Sequence, residues 1–346
     1  MKYLITGGAG FIGSNLADEL LKRGHQVRIL DNFSTGRREN LTGFIDKIEI
    51  VEGDLRNYHT VREAVDGMDF VLHQGALPSV PRSVSDPISS NEANVTGTLN
   101  ILYAAKDAKV KRLVMASSSS VYGDSPTLPK HEGMELNPLS PYAVSKLAGE
   151  KYFQVFANIY GLHTVALRYF NVFGPRQNPD SQYSAVIPKF IKAILNDKQP
   201  VIYGDGKQSR DFTYIQNTVE VNILATEADC PPGIVMNCAV HQRTDLNELV
   251  AKINQLVGKN IQPIYADPRP GDIKHSFADI ERLKEILFMR GNAMSGAPIM
   301  IGTIQLAKPP IRAGMTMKKI MIRPWAVVNT LYMCLPPSMA ASPSKP

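Results

Sequence analysis

The sequence predicts an α/β fold in which a doubly wound parallel sheet carries a smaller, interleaved C-terminal lobe. Three observations support this fold class: short apolar runs alternate with helical patterns in the first half, a glycine-rich turn follows the first run, and the composition changes from about Asn171. Strands separated by helices form βαβ units, and right-handed crossovers place the helices on both faces of a parallel sheet.

Hydrophobic periodicity places the individual elements. The predicted strands span residues 3–6, 26–30, 48–52, 70–73, 112–116 and 164–169. The predicted helices span 11–23, 60–65, 91–105 and 141–160, and shorter helices follow at 187–196, 217–227 and 246–257. We therefore assign residues 1–170, with a returning segment near 212–238, to the sheet domain. Residues 171–211 and 239–287 form the predicted second lobe.

Composition excludes several classes of protein. With 44% hydrophobic and 20% charged residues, the chain is typical of a globular protein with a sizeable core. The N-terminus lacks the pattern of a signal peptide, and no apolar window of about 18 residues predicts a membrane span. Cys230, Cys238 and Cys334 form no CxxC pair, so we expect no disulfides, no metal and a reducing, cytoplasmic location.

The net charge of +6 is concentrated at the end of the chain. Residues 1–285 hold 31 basic and 32 acidic side chains, whereas the last 61 residues hold seven basic and no acidic ones. A basic tail can bind phosphates, but the charge before it is balanced. We therefore expect neither a nucleic acid nor a membrane as a partner.

The turn after the first strand carries the strongest local signal. Gly7, Gly10 and Gly13 fit GxxGxxG between a predicted strand and a predicted helix. Glycine permits the tight turn and lets the backbone approach a pyrophosphate, which the N–H groups at the helix N-terminus then bind. This context predicts a Rossmann domain that binds a dinucleotide.

Asp31 ends the second predicted strand, 18 residues after Gly13. A carboxylate at this place accepts hydrogen bonds from the adenosine ribose and repels a 2′-phosphate, which favours NAD. Arg37 and Arg38 lie nearby and leave NADP open as the alternative. Asp54 follows the third strand, where a side chain could meet adenine or simply form a turn.

A serine run and a Tyr–Lys pair indicate redox chemistry on an alcohol. Residues 117–120 follow a predicted strand, and Tyr142 and Lys146 lie one turn apart at the start of the helix 141–160, on one helix face. Oxidation of a secondary alcohol needs a base for the hydroxyl proton while hydride leaves to nicotinamide. The ordinary pKa of tyrosine is about 10, and we expect the Lys146 ammonium and the cationic nicotinamide to lower it.

Nine ordered motifs over about residues 1–287 resemble the extended short-chain dehydrogenase/reductase family. They are TGGAGFIG, Asp31, GDL, HQGA, the serine run before VYG, SPYAVSK, RYFNVFGPRQ, GDGKQSRDFTYI and RPGD. Within that family the chain is most similar to UDP-sugar 4-epimerases that accept N-acetylated sugars. The resemblance implies NAD as the cofactor, a UDP-sugar as the substrate, and Ser118 as the catalytic serine beside Tyr142 and Lys146. It also implies a homodimer built on the two long predicted helices, 91–105 and 141–160.

The predicted binding residues, beyond those derived above, are implied by this resemblance. The cofactor-binding set is Gly7, Gly10, Phe11, Ile12, Gly13, Asp31, Asn32, Ser34, Gly36, Asp54, Leu55, Gln74, Gly75, Ala76, Asn94, Tyr142, Lys146 and Tyr169. The substrate-binding set is Ser79, Ser118, Ser119, Tyr142, Asn171, Val186, Tyr203, Arg210, Arg269, Asp272 and Ser276.

The predicted reaction is 4-epimerisation through a 4-keto sugar, with Tyr142 as the proton acceptor. A 4,6-dehydratase would place Asp-Glu where this chain has Ser119 and Ser120, and UDP-glucuronate decarboxylases usually have Glu in place of Ser120. Both, like a UDP-glucuronate-type epimerase, are alternatives within the family. A non-catalytic NAD-binding protein on the same fold is the alternative from another class, and the presence of both Tyr142 and Lys146 disfavours it.

Ser276 is expected to set the substrate range. In the family, a residue shortly after the RPGD motif lies beside the substituent at the sugar 2-position, and that position falls on Ser276 here. A small residue leaves room for an N-acetyl group, so we expect UDP-GlcNAc and UDP-GalNAc as substrates, with UDP-Glc and UDP-Gal tolerated. A register shift of one would place His275 or Phe277 there instead.

The segment 288–346 departs from the family. Relatives continue past the position of Leu287 with a Gly-Tyr/Trp-x-Pro turn and an acidic helix, whereas this segment holds no acid and contains eight of the 13 Met and eight of the 24 Pro. We interpret it as a change of reading frame, with a tail that binds nucleic acid or lipid as the alternative. No fold is assigned to it.

Overall fold

The computed structural model describes residues 1–178, 185–268 and 274–289, with Phe288 and Met289 described in backbone only. The strands, in chain order, are β1 Lys2–Thr6, β2 Gln26–Asp31, β3 Glu49–Glu52, β4 Phe70–His73, β5 Arg112–Ser118, β6 Thr164–Tyr169, β7 Val172–Phe173, β8 Val201–Tyr203, β9 Ser209–Arg210, β10 Thr213–Tyr214, β11 Ile234–Cys238, β12 Thr244–Asp245, β13 Ile264–Ala266 and β14 His275–Ser276. The α-helices are α1 Phe11–Lys22, α2 Tyr58–Val65, α3 Val80–Ser85, α4 Pro87–Asn91, α5 Gly97–Asp107, α6 Pro141–Tyr160, α7 Val186–Leu195, α8 Ile215–Glu227, α9 Leu246–Val257 and α10 Glu281–Leu283.

Seven parallel strands form the central sheet, in the order β11-β6-β5-β4-β1-β2-β3. The order reverses between β1 and β4, so their carboxyl ends border the crevice in which doubly wound sheets bind ligands. This sheet confirms the predicted fold class. The six strands predicted in the first half are present, with bounds that differ by at most two residues.

The sheet is buried on both faces, as expected of parallel strands flanked by helices. Alternate side chains of one strand reach different cores: Tyr3 and Ile5 pack in the core that includes α1 and α8, whereas Leu4 packs in the core of α2, α5 and α6. A third core lies between α7, α9 and β8 in the second lobe. No helix among the described residues is long and apolar enough to cross a membrane.

Four predicted helices begin at an earlier residue in the structure, among them those predicted at 60–65 and 91–105. The helix predicted at 60–65 begins at Tyr58, because the Asn57 side chain accepts hydrogen bonds from the backbone N–H groups of His59 and Thr60. The helix predicted at 91–105 is part of a longer run in which a π-helical turn, Glu92–Thr96, separates α4 from α5. Such π-turns often mark functional sites.

The second lobe is tied to the sheet domain through the segment between β5 and α6. The Lys130 N–H donates to the carbonyl oxygen of Phe277 at 2.7 Å, and the Asp279 N–H donates to the carbonyl oxygen of Lys130 at 2.8 Å. Asn237, next to the last residue of β11, donates its side-chain Nδ2 to the carbonyl oxygens of Lys130 and Asp279. These bonds hold the lobe over the carboxyl edge of the sheet.

Candidate active site

The glycine turn joins β1 to α1 at the crevice. Gly7 has a φ of +66°, and a Cβ atom there would lie 2.8 Å from the backbone N and Cα of Gly75. A Cβ atom at Gly13 would lie 2.2 Å from the carbonyl oxygen of Gly7. No side chain caps α1 at Gly10. The N–H groups of Phe11 and Ile12 in its first turn are therefore available to bind an anion. Only glycine fits this turn, which has the shape that a pyrophosphate requires.

Asp31 lies at the end of β2, next to that turn. Its Oδ2 accepts from the Ala9 N–H at 2.9 Å and its Oδ1 from the Phe33 N–H at 2.8 Å. Burial raises the pKa of the Asp31 carboxyl, while these two backbone hydrogen bonds act in the opposite direction. A Cβ atom on Gly36 would lie 2.8 Å from both carboxylate oxygens. The structure thus brings Asp31, Gly36 and the glycine turn together.

The two arginines that left NADP open are each paired with an acid. Arg37 lies 3.3 Å from Glu39, and Arg38 lies 2.5 Å from Glu52. Both pairs are exposed at the surface, where such pairs are weak. The two carboxylates offset the charge of the arginines, so that the Asp31 carboxylate next to the ribose site disfavours a 2′-phosphate.

Asn32, Ser34 and Asp54 form a small hydrogen-bonded group beside Asp31. Asn32 Nδ2 donates to Asp54 Oδ2 at 2.8 Å, and Ser34 Oγ donates to Asn32 Oδ1 at 2.7 Å. Hydrogen bonds from the Arg56 side chain are the main cause that lowers the pKa of Asp54 to about 2. Asp54 is therefore a charged turn residue held by Arg56 in this structure.

The residues predicted after β4 meet the end of β6. The Tyr169 hydroxyl donates to Gln74 Oε1 at 3.0 Å and also hydrogen-bonds with the Asn222 side chain. A Cβ atom on Gly75 would lie 2.7 Å from Leu55 Cδ1. Gln74, Gly75, Leu55 and Tyr169 thus line neighbouring strand ends, with Ala76 directly following Gly75.

Asn94 lies in the π-helical turn and fixes the loop after β4. Its Oδ1 accepts from the Leu77 N–H at 2.7 Å, and its Nδ2 donates to the Leu77 carbonyl oxygen and to Ser145 Oγ. Ser79 caps α3 with a φ of +97°, and Ser83 Oγ accepts from the Tyr142 N–H at 3.0 Å. The Asn94–Ser145 and Ser83–Tyr142 hydrogen bonds attach the segment after β4 to the start of α6.

The three predicted catalytic side chains come together where β5 ends and α6 begins. Ser118 lies close enough to Tyr142 for its side chain to lower the pKa of the tyrosine. Lys146 Nζ donates to the carbonyl oxygen of Ala116 at 2.8 Å and lies 5.9 Å from the Tyr142 ring centroid. The hydroxyl neighbour of Ser118 is Ser120, at 2.9 Å.

The expected lowering of the Tyr142 pKa by Lys146 and a bound nicotinamide stays a prediction. Burial raises the pKa of Tyr142, and the side chain of Ser118 is the cause that lowers it. Burial also lowers the pKa of Lys146 to about 8, since its ammonium is desolvated beside a backbone carbonyl. Ser118 is therefore one group that favours the Tyr142 phenolate in this structure.

The predicted substrate residues of the second lobe fall into two groups. Asn171 Nδ2 donates to the carbonyl oxygen of Asp211 at 3.1 Å, and Ser276 pairs with Arg210 in the β14–β9 register. Val186 opens α7 and Tyr203 ends β8. Arg269 and Asp272 lie outside the described residues.

Sequence reasoning missed several side chains around these groups. Arg243 Nε donates to Ser209 Oγ at 3.2 Å, and the same hydroxyl is bonded to His275 Nδ1 at 2.9 Å. Desolvation, with the charges of Arg243, Lys274 and Arg210, lowers the pKa of His275. Only the folded chain joins these positions, so no local spacing signalled this basic cluster.

Comparison with known proteins gives consistent matches across most of the chain. Residues 3–239 match the model of the NAD dependent epimerase/dehydratase family. A putative UDP-glucose 4-epimerase of Methanocaldococcus jannaschii is 37% identical over 82% of this chain and 91% of its own length. A UDP-N-acetyl-alpha-D-glucosaminuronate decarboxylase of Bacillus cytotoxicus is 38% identical over 81% and 88%. The solved structure of UDP-N-acetylglucosamine 4-epimerase from Methanobrevibacter ruminantium, in complex with UDP-N-acetylmuramic acid, is 44% identical with a TM-score of 0.79, covering 82% and 90%.

Proposed function

The chain belongs to the NAD dependent epimerase/dehydratase family, and on that basis we propose that it interconverts UDP-sugars that differ in configuration at C4. The observation that carries the proposal is that Ser118, Tyr142 and Lys146 meet at the strand edge that also bears the glycine turn and Asp31. The cofactor is NAD, whose place the glycine turn and the Asp31 carboxylate fit. When bound, it supplies a reversible acceptor for the hydride of the sugar C4.

The protein side chains manage the proton. Ser118 hydrogen-bonds and orients the sugar 4-hydroxyl, and the Tyr142 phenolate takes its proton as the C4–H bond breaks and the 4-keto sugar forms. The same tyrosine returns the proton when hydride is added to the opposite face of the keto sugar, so the net reaction inverts C4 and changes nothing else. Lys146, held on the Ala116 carbonyl oxygen, places positive charge near the phenolate without donating to its oxygen.

The serines at positions 119 and 120 support epimerisation over elimination. Water elimination needs an acid–base pair next to the catalytic hydroxyl residue, and Ser120 instead donates its hydroxyl to Ser118 Oγ. The decarboxylase relative shows that identity alone does not separate these activities.

We further infer that N-acetylated UDP-sugars are the substrates. Ser276 and Arg210 are register partners on β14 and β9, so their side chains share one sheet face. His275 shares the other face with Ser209. Ser276 therefore lies beside Arg210, another predicted substrate-binding residue, as a residue next to the sugar would. The absence of bulk at Ser276 favours room for an acetamido group.

Product analysis tests the proposed function. Purified protein is incubated separately with UDP-GlcNAc, UDP-Glc, UDP-GlcA and UDP-GlcNAcA, and the products are separated by chromatography and weighed by mass spectrometry. A 4-epimer has the mass of its substrate, whereas decarboxylation loses CO2 and dehydration loses water. Conversion of UDP-GlcNAc to its C4 epimer is the expected result, and a product of lower mass would contradict epimerisation.

Replacing Tyr142 by Phe is the matched control. The variant loses only the proton acceptor, so turnover should fall by about 1,000-fold or more while binding of NAD and UDP-sugar changes little. Retention of most of the activity would show that another group is the base.

A further inference from the structure

Four consecutive residues of β5 are attached to α6. Met115 fits against Gly149, where a Cβ atom would lie 2.6 Å from Met115 Cε. The next two residues are hydrogen-bonded to the helix, Ala116 to Lys146 at 2.8 Å and Ser117 to Glu150 at 2.5 Å, and Ser118 lies close enough to Tyr142 to lower its pKa. The strand end and the first half of the helix are therefore held in one register.

Glu150 is the charged centre of this attachment. Its carboxylate accepts from Ser117 Oγ and from Arg168 Nε at 2.9 Å and Nη2 at 2.7 Å, a two-point ion pair between α6 and β6. The Glu150 and Arg168 side chains are 2% and 3% exposed. Burial of an ion pair adds little to stability compared with apolar packing, and such pairs are sometimes retained because they specify one geometry.

We propose that Ser117, Glu150 and Arg168, the buried clamp, are positioning residues that set the Tyr142 hydroxyl at the reacting oxygen. The proposal rests on the proposed epimerisation. Glu150 lies on the same helix eight residues after Tyr142, about 12 Å along its axis, so a shift of the clamp moves the base. A displacement of about 1 Å can lower a rate about 100-fold.

The clamp positions Tyr142 and does not act on the site through its charge. Burial is the cause that lowers the pKa of Lys146, and Arg168 neutralises the Glu150 charge at hydrogen-bond distance. Arg168 also donates to the Tyr122 hydroxyl at 2.9 Å, and that hydroxyl donates to Asn237 at 2.7 Å. The clamp thereby extends to the segment that follows Ser118 and to β11.

Ser117→Ala tests the clamp with the least disturbance. It removes the hydroxyl that joins the strand end to Glu150 and leaves the Glu150–Arg168 ion pair intact. The matched control is Thr164→Val. Thr164 lies on β6, is also fully buried, and donates its hydroxyl to the Phe153 carbonyl oxygen at 2.7 Å. Phe153 lies on α6, as Glu150 does, but about 16 Å along the helix axis from Tyr142. Both variants lose one buried hydrogen bond between the sheet and α6.

Tm, kcat, KM and the pH profile of kcat are measured for wild type and both variants with UDP-GlcNAc. We expect similar decreases in Tm, but a kcat decrease of about tenfold or more only in Ser117→Ala, with KM within about twofold and an unchanged pH midpoint. Equal kcat values in the two variants, a shifted pH midpoint, or a Ser117→Ala chain that does not fold would each overturn the positioning role. Absence of turnover in the wild type would instead contradict the proposed function, and the clamp proposal would fall with it.

Discussion

At the scale of single residues, the Asp31 carboxylate determines which dinucleotide fits the crevice. It is held in place by the N–H groups of Ala9 and Phe33, and two acids, Glu39 and Glu52, balance the neighbouring arginines. The negative charge of Asp31 favours ribose hydroxyls over a 2′-phosphate. We expect NAD to bind at least tenfold more tightly than NADP, which corresponds to about 1.4 kcal/mol.

Titration of both cofactors into wild type and Asp31→Ala measures this preference. The variant removes the charge and the ribose acceptor together, so the ratio of the two affinities should approach one. Asp46→Ala, in the short exposed 3-10 helix Ile45–Lys47 before β3, is a control of equal charge change. Equal affinity for NAD and NADP in the wild type would contradict the assignment.

Ser276 makes the second prediction at this scale. Removing bulk admits a larger substrate but rejects a smaller one only weakly, so Ser276→Tyr should clash with an acetamido group far more than with a hydroxyl. We expect the ratio of kcat/KM for UDP-GlcNAc over UDP-Glc to fall by about 100-fold, near 3 kcal/mol. Phe277→Tyr changes the opposite strand face and serves as the control. An unchanged ratio in Ser276→Tyr would show that this residue is not beside the sugar.

At the scale of elements, His73 joins β4 to β1 and to α5. Its Nδ1 bonds with Thr6 Oγ1 at 2.7 Å and its Nε2 with Thr98 Oγ1 at 2.9 Å. Desolvation by burial, with a smaller effect of the Lys146 charge, lowers the pKa of His73 from 6.5 to about 3. The unfolded chain therefore binds the proton more tightly than the folded chain. The stabilising effect of a neutral His73 is complete above pH 6.5 and is lost as the pH falls toward 3.

Unfolding by urea at about pH 7.5 and about pH 5 checks that stability falls with decreasing pH. Between these conditions the wild type should lose about 2 kcal/mol of unfolding free energy through His73, which His73→Gln should not lose. His59→Gln, on the exposed side of α2, should behave as the wild type. Parallel pH dependences in wild type and His73→Gln would show that the folded protein accepts the proton on His73.

The sequence predicted elements best where one local rule decides them. Residues 141–160 have a proline at the first helical position and a glycine, Gly161, at the C-cap, and both bounds were correct. The π-helical turn around Asn94 was missed, because its geometry depends on contacts with Leu77 and Ser145 that are distant in sequence. The short strands of the second lobe escaped prediction for the same reason: β9 and β14 are two residues each and pair across 60 or more positions.

The same limit applies to the site. Gly7, Asp31, Tyr142 and Lys146 were predictable, because a turn, a strand end and one helix face place them without reference to the rest of the chain. Arg168 was not, since its partner Glu150 lies on another element. A charged residue inside the buried strand 164–169 was the one signal in the sequence for that pair.

At the scale of the whole molecule, the helices behind the active site present an uncovered apolar face. Tyr103 on α5, and Val155, Ile159 and Tyr160 on α6, are between 43% and 68% exposed. Helix α5 packs against α6, and Lys106 Nζ lies 4.0 Å from the Tyr103 ring centroid and 5.3 Å from that of Tyr160. Exposed apolar surface of this kind is typical of an interface, and we predict that a second copy of the chain covers it. Two helices from each subunit would then form the homodimer.

Multi-angle light scattering of wild type, Val155→Lys with Ile159→Lys, and Val201→Lys tests the dimer. Val201 is an apt control because it is 42% exposed, against 43% for Val155, yet lies on β8 in the second lobe. A C2 interface repeats every substitution on both subunits, so the double variant places four lysines in one contact and should shift the protein to monomer at micromolar concentration. Val201→Lys should remain a dimer. A monomeric wild type, or a double variant with the mass of a dimer, would show that this face is not the subunit contact.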